Sequence, residues 1–459
     1  MIASVFLLVI ALMHKPKFLR EYEDFWKNPD EAPVMWLGSL YGIFAIATRI
    51  QSLMEEYDAG ISDPSQRTFS VARTDFYRTK LVQCLILANY VKCPPYTIET
   101  FMSYFIVEYL RSRDTQHGIW LLVSILVRMA FRMGLHREPS KLGNITPFEA
   151  EMRRRNWSMV IRLDLMSSSQ VGLPRLIHSS MSDTLEPRNL IDEDLYEGMT
   201  ELPPSRPFKE STPMLYTIVR NRVLIVFARI VDLCSASDQP TYREVLELDT
   251  DLRNTYEGIP DSHKGVNAKE FNLSSDISMR ILILSLSFLK ALLVLHRPFL
   301  FLGRSDVRYE YSRTACIDAA IEMLEFQQLL ETQSRWNKEL WDTQSLWWTS
   351  SWRLSSLIAH DFLLATTLLA LDLHRDIAEP LPENDIPRER FKSGRPKRAE
   401  IIEMLTRSYD IWSRASAKSR EAARVAAAVK YVLRKANVSG DASQGKRRYP
   451  TYRLQSSLL

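Results

Sequence analysis

Glycine and alternating apolar patterns are both scarce in this sequence. Only 14 of its 459 residues are glycine, about half of an average share of roughly 7%. Almost no stretch alternates apolar and polar residues with a period of two, which is the pattern of a half-buried strand. These two shortages argue against a substantial β-sheet and predict an all-α protein.

Cysteine is also scarce, and the spacing of the few that occur excludes the usual zinc sites. The four cysteines are Cys84, Cys93, Cys234 and Cys316. Tetrahedral zinc sites draw their ligands from closely spaced pairs, and none of these residues lies two positions from another. Free thiols in a reducing compartment are the simpler interpretation. We therefore expect this chain to hold no metal and no cofactor.

Neither a large charge excess nor a catalytic signature is present. The net charge is +4, from 59 basic and 55 acidic residues, which does not indicate a surface dedicated to nucleic acid. The sequence also lacks a Gly-x-Ser-x-Gly elbow, a phosphate-binding glycine loop and a dinucleotide fingerprint. We therefore expect that this protein is not an enzyme. Of the three functions considered for it, an enzyme with an unrecognised helical active site is the least favoured.

The N-terminus is apolar but short. Residues 2–13 are almost all apolar, whereas a membrane span needs about 20 such residues. We therefore expect a core helix here, and we expect no association with a membrane. A start codon placed too far downstream is the other explanation of this abrupt apolar opening.

The region 119–195 carries the clearest local signals. Apolar residues repeat at intervals of three and four from 122 to 133, which predicts one apolar helical face. Gly134 follows as a residue suited to a left-handed helix end. Thr146, Pro147 and Glu149 then form a capping-box pattern that predicts the start of the next helix. Residues 172–174, Gly-Leu-Pro, predict its end.

Several motifs in and around this region occur in a characteristic order. Residues 134–137 read Gly-Leu-His-Arg, residues 148–157 contain Phe-Glu-x-Glu-x-Arg-Arg-Arg-x-Trp, residues 187–195 read Pro-x-Asn-x-x-Asp-x-Asp-Leu, and residues 14–16 read His-x-Pro. Together they resemble the regulatory (middle homology) domain of fungal-specific transcription factors. The resemblance implies a large all-α regulatory domain.

The resemblance also implies structural or regulatory roles, and no catalytic or cofactor-binding ones, for ten motif residues. These residues are Gly134, His136, Arg137, Glu149, Glu151, Arg154, Trp157, Asp164, Gly172 and Pro174. We expect Arg154 to pair with a buried carboxylate such as Asp164 or Asp183, because an unpaired buried charge is costly. Contact between DNA and residues 153–155 is disfavoured, because successive helical side chains point about 100° apart.

The triplet Leu-His-Arg occurs three times, at 135–137, 295–297 and 373–375. Each copy is expected to close an apolar helix, where the cations face the negative end of the helix dipole. The alternative is that the three histidines gather into a metal or catalytic cluster.

Composition divides the chain into four parts. Residues 1–375 are predicted to form the helical regulatory domain, 376–400 a linker with four prolines, 401–437 a C-terminal helix, and 438–459 a disordered tail. Residues 395–398 and 446–448 are short basic clusters, each of which is a candidate nuclear import signal.

The resemblance implies transcription regulation in a fungal nucleus. Family members read DNA through an N-terminal module in which six cysteines bind zinc, and four scattered cysteines cannot form it. DNA and zinc are therefore expected only in a missing or separate module, with other transcription proteins, a small-molecule effector and a second copy of the chain as candidate partners. The alternative is a regulator that does not bind DNA and acts as a partner or inhibitor through protein–protein contacts.

Overall fold

The computed structural model describes residues 13–57, 64–111, 114–115, 117–264, 276–340, 356–379 and 398–441. Within these ranges the chain forms fourteen α-helices, several short 3-10 turns and no β-strand, which confirms the predicted all-α class. The first six helices are α1 (Lys15–Lys27), α2 (Val34–Tyr57), α3 (Pro64–Leu87), α4 (Thr97–Tyr109), α5 (His117–Arg132) and α6 (Pro147–Val171). The others are α7 (Pro213–Ser235), α8 (Tyr242–Glu257), α9 (Asp276–His296), α10 (Leu302–Ser305), α11 (Glu310–Leu340), α12 (Ser356–Ala378), α13 (Arg398–Ala415) and α14 (Arg420–Asp441).

Helices α1–α6 form the first of two large hydrophobic cores, and a small third cluster contains Phe148, Leu190, Leu195 and Met199. In the first core α2 packs closely against α3 and α4, and Gly42 lies at the crossing. A Cβ atom at Gly42 would lie 2.6 Å from the Cβ of Ser103 and 3.0 Å from a methyl group of Leu81. The absence of a side chain at this position therefore permits the close approach of the three helices.

Helices α7–α9 and α11–α14 form the second core. The apolar helix α9 is central and packs against α7, α8, α11 and α12. Arg280–Phe299 is also the one stretch, within the ranges described, that is long and apolar enough to cross a membrane, and 72% of it is buried inside the protein. A buried core helix satisfies the same length and composition criteria.

Helix α6 belongs to both cores. Trp157 and Val160 pack in the first core, whereas Leu165 and Met166 pack in the second. A 25-residue helix is about 37 Å long at 1.5 Å per residue, so one helix is able to span both. The predicted region 119–195 therefore lies at the junction of the two cores.

The C-terminal region contains two helices where the sequence predicted one. Helices α13 and α14 are separated by residues 416–419, and Trp412 of α13 and Val429 of α14 are buried in the second core. Asp114, from the first half of the chain, accepts a hydrogen bond from the Arg420 N–H at 3.0 Å. The Ser419 hydroxyl accepts from the Ala422 N–H at 2.9 Å, so the start of α14 is capped by a local serine together with a residue that lies about 300 positions earlier.

Several predicted segments lie wholly or mostly outside the described residues. These are the apolar segment 2–12, most of the linker at 380–397 and the tail from residue 442. Residues 376–378 continue α12 and residues 398–400 begin α13. Residues 438–441, predicted as the start of the disordered tail, instead continue α14. The domain boundary at residue 375 stays a prediction.

Candidate functional site

The end of α5 and the start of α6 are formed as the sequence predicts. Gly134 has a φ of +68°, and the Leu135 N–H donates to the Ala130 carbonyl at 3.0 Å, which closes α5 in the manner of a glycine C-cap. The Thr146 hydroxyl accepts a hydrogen bond from the Glu149 N–H, and the Glu149 carboxylate accepts one from the Thr146 N–H at 3.1 Å. Both predicted helix boundaries are confirmed.

Two arginines of α6 lie in a buried network of ion pairs. Arg154 donates to the Glu138 carboxylate, and its Nη1 lies 3.7 Å from Oε2 of Glu151. Arg155 donates to the Asp192 carboxylate at 2.7 Å, and its Nε lies 3.4 Å from Oε1 of Glu151. Glu151 is fully buried and is shared by both arginines. We refer to these five residues as the α6 ion-pair network.

Burial and pairing act in opposite directions on the two glutamates of this network. Burial favours the neutral form of Glu138, but hydrogen bonds from Arg154, the Leu185 N–H and Ser140 outweigh it and hold the pKa of Glu138 at about 2. Burial raises the pKa of Glu151, and the charges of Arg155 and Arg154 oppose that rise. The charge of Glu138 is therefore stabilised by the fold itself.

Three of the motif segments meet at this network although they are far apart in the sequence. The His14 ring hydrogen-bonds to the Asp192 carbonyl at 2.7 Å, and the Lys15 N–H donates to the Asp192 carboxylate at 3.0 Å. The His14 ring also packs edge-on against Phe148, with the ring centres 5.0 Å apart. Because Arg155 binds the same Asp192, residues 14–16, 148–157 and 187–195 form one structural unit.

Sequence reasoning did not single out Glu138, Arg155, Asp192 or Asn189. Asn189 is fully buried, donates to the Arg206 carbonyl at 3.1 Å and thereby holds the chain that leads to α7. The Pro-x-Asn-x-x-Asp motif was a signal for Asn189 and Asp192. Glu138 had none, because nothing in the sequence shows that its loop folds over α6.

Asp164 is buried as expected, but its partners are not basic side chains. Its Oδ2 accepts hydrogen bonds from the backbone N–H groups of Leu176 and Ile177, both at 2.9 Å. Arg154 pairs with buried carboxylates as predicted, but its partners are Glu138 and Glu151 and not Asp164 or Asp183. The chain turns back after α6 and points two backbone donors at Asp164, which satisfy the carboxylate without a cation.

The remaining predicted residues divide between the interior and the surface. Trp157 is buried, donates from Nε1 to the Ser182 hydroxyl at 2.8 Å and lies 6.2 Å from the His136 ring. Gly172 ends α6 with a φ of +71°, and Arg137 and Pro174 are exposed. Their roles in regulation stay predictions.

The three Leu-His-Arg histidines lie in separate places. His136 follows α5, His296 ends α9, and His374 lies inside α12 beside the ring of Tyr431 at 5.9 Å. No group of three potential metal ligands occurs among the residues that the structure places. The first two copies therefore lie at helix ends, as predicted, whereas the helix continues past His374.

One buried arrangement has the composition of a catalytic triad. His296 hydrogen-bonds to the Ser312 hydroxyl at 2.9 Å and to the Asp249 carboxylate at 3.1 Å. Both Ser312 and His296 are fully buried, so the hydroxyl is out of reach of a substrate. The arrangement instead ties together α8, α9 and α11.

Comparison with known proteins agrees with the family that the sequence motifs indicate. The model of the fungal specific transcription factor domain matches residues 5–257, a range that contains the α6 ion-pair network and all ten predicted residues. The chain belongs to this family.

Relatives match across most of the chain. It is 40% identical over 435 residues to the Zn(2)-C6 fungal-type transcription factor mpsB of Macrophomina phaseolina. The matched region covers 94% of this chain and 56% of that protein. It is 38% identical to the Zn(2)-C6 fungal-type transcription factor pigI of Monascus ruber, over 92% of this chain and 50% of that protein. It is 34% identical to the equisetin cluster transcription factor eqxF of Fusarium heterosporum, over 94% of this chain and 60% of that protein.

The chain thus spans about half to three-fifths of the length of these relatives. Their names describe transcription factors and no enzymes. No solved structure matches the chain.

Proposed function

We propose that this chain is the regulatory part of a nuclear transcription factor. The observation that carries the proposal is its similarity, over more than nine-tenths of its length, to proteins named as transcription factors. The family motifs add physical support, because they form the α6 ion-pair network on a helix that packs in both cores. A helix shared in this way offers a contact through which a change in one core could reach the other.

DNA recognition is proposed to belong to a zinc module that four scattered cysteines do not provide. The names of the two Zn(2)-C6 relatives support this division of labour. In this proposal the helical domain contacts other transcription proteins, pairs with a second copy and responds to a small molecule. The eqxF relative is named as the transcription factor of the equisetin cluster. We therefore extend the proposal to regulation of a cluster of this kind.

A reporter assay tests the proposal. The full chain is fused to a zinc-cluster DNA-binding module of known target and expressed in a fungal cell with a matching reporter. The fusion should change reporter output several-fold relative to the module alone, and the same fusion carrying Arg154→Ala should lose that change. Unchanged reporter output from a fusion that is present and folded would contradict the proposal. It would favour the alternative, a regulator that does not bind DNA and acts as a partner or inhibitor through protein–protein contacts.

A further inference from the structure

Positively charged side chains collect inside the protein where α6, α7, α9 and α12 meet. Lys290 of α9 is 1% exposed, and its Nζ lies 2.7 Å from Oδ1 of Asp361 on α12. Arg162 of α6 is 9% exposed and donates to the Asn221 side chain of α7 at 2.9 Å. Arg220 immediately precedes Asn221 in the chain. These side chains bring three cations together with one carboxylate.

The charges of these residues act on one another. Burial, and after it the charge of Arg220, lowers the pKa of Arg162 to about 9. Burial raises the pKa of Asp361, while the charges of Lys290 and Arg220 oppose that rise. Arg220 therefore interacts with both Arg162 and Asp361, and the four charged groups form one electrostatic unit.

Polar atoms of this unit lack hydrogen-bond partners. Within the described part of the chain, no partner is present for the buried atoms Arg220 Nε, Tyr216 Oη and His360 Nδ1, whereas Lys290 Nζ lies against Asp361. Tyr216 and Arg220 are four residues apart on α7 and so share a helix face. Buried polar atoms without partners are rare and costly. Arg220 Nε and Tyr216 Oη are both donors, and two such donors on one helix face call for a group that supplies acceptors.

Other buried arginines of this protein have carboxylate partners. Arg155 lies against Asp192, and Arg313 lies against Asp372 at 2.9 Å. The excess of positive charge at the α6–α7–α9–α12 junction is therefore not the general pattern of this interior. Tyr216, Arg220 and His360 are only half-buried, which gives the unit an edge that solvent reaches.

We propose that these residues, which we call the basic cluster, bind the carboxylate or phosphate group of a small organic anion. The basic cluster consists of Arg162, Tyr216, Arg220, Lys290, His360 and Asp361. Guanidinium, ammonium and hydroxyl groups donate to anionic oxygens, and such charge-assisted bonds are strong where water is excluded. Because α6 packs in both cores, an anion held here would contact the junction between them. That effector role rests on the proposed function, whereas binding itself does not.

Binding to the purified full chain tests the proposal. Inorganic phosphate, succinate and octanoate are titrated separately at constant ionic strength, and binding is followed by calorimetry and by the melting temperature. At least one of them should bind saturably and raise the melting temperature. The preferred probe distinguishes a phosphate ligand from a carboxylate with or without an apolar chain. Arg220→Gln should weaken binding by about tenfold or more, as expected for loss of one charged hydrogen bond.

Two further variants keep the test decisive. Arg229→Gln changes an exposed arginine of the same helix that pairs with Asp251 at 2.7 Å, and it should bind like the wild type. Lys290→Met combined with Asp361→Leu removes both members of the buried pair, an exchange that proteins often tolerate, and should abolish binding in a folded chain. The proposal is overturned if none of the three probes binds saturably, or if Arg220→Gln binds as tightly as Arg229→Gln. Because the assay contains no DNA and no reporter, its outcome is independent of the proposed function.

Discussion

Arg154 is held between the carboxylates of Glu138 and Glu151 in a place where its side chain is only 9% exposed. Each of these groups lost its hydration on folding, so each depends on the others for compensation. Glu151 depends in addition on Arg155 and on the Arg188 N–H, which donates to it at 3.1 Å. The residues of the α6 ion-pair network should therefore behave as a unit under mutation.

Arg154→Ala should lower the free energy of unfolding by about 3–5 kcal/mol, because it leaves Glu138 and Glu151 buried with too little positive charge. Urea denaturation measures the change. Arg137→Ala, an exposed arginine close by, is the control and should change stability by no more than about 0.5 kcal/mol. Equal effects of the two substitutions would show that the buried pairing is not what stabilises this region.

Glu138 gives a pH dependence whose direction is fixed. Its pKa is depressed from 4.5 to about 2 in the folded protein, so its contribution to stability is present above pH 4.5 and is lost as the pH falls toward 2. Glu138→Gln should be less stable than the wild type at neutral pH, and the difference should shrink across this window. A difference that stays constant from pH 5 to pH 2.5 in denaturation experiments would contradict the depressed pKa.

Asp164 shows what residue types alone do not reveal. The sequence marks a carboxylate among apolar neighbours, and a cationic partner is the natural expectation. The true donors are the backbone N–H groups of Leu176 and Ile177. Every non-proline residue has such a donor, so the sequence does not distinguish these two, and only the path of the chain after α6 makes them partners.

At the scale of the helix, close packing depends on a glycine of α2. Gly42→Ala should destabilise the protein by about 1–3 kcal/mol, because the new Cβ would meet Ser103 at 2.6 Å and force the helices apart. Gly118→Ala is the matched control, since a Cβ there has no neighbour within 4 Å. Thermal unfolding should separate the two variants. A neutral Gly42→Ala would mean that α2 has room to shift.

The start of α14 offers a second test at this scale. Asp114→Ala should cost about 0.5–2 kcal/mol, the usual range for loss of a helix cap, because Asp114 accepts from the Arg420 N–H. Amide hydrogen exchange should accelerate in the first turn of α14 and much less in its middle. Asp24→Ala, in a highly exposed pair with Lys27, should leave α14 unaffected. Unchanged amide exchange in Asp114→Ala would show that Asp114 does not help to cap α14.

Local signals predicted some helix boundaries well and others poorly. The boundaries at Gly134, Thr146 and Gly172 have strong caps and were predicted from them. The break between α13 and α14 lacks glycine and proline. Its local signal is the serine N-cap Ser419, whose hydroxyl accepts from the Ala422 N–H, and Asp114 adds an acceptor from a distant part of the chain. Propensity and periodicity describe neighbours along the sequence, so the part of this boundary that depends on tertiary contact escapes them.

For the whole molecule, the family motifs are best understood as the parts of one internal structure. Residues 14–16, 148–157 and 187–195 meet at Asp192, and α6 carries the contact into both cores. The sequence indicated the family and the class of fold, because the order of the motifs and the helical periodicity are both visible along the chain itself. The convergence at Asp192 and the basic cluster became visible only in three dimensions, since their members are scattered over as many as 200 residues.

We propose that this helical domain regulates transcription and does not itself read DNA sequence. The most direct measurement is a competition titration of the 459-residue chain against a DNA library at physiological salt. We expect weak, salt-sensitive binding with a Kd no better than about micromolar, the range of non-specific contacts. Enrichment of one sequence by about a thousandfold, the low end for specific binders, would contradict it.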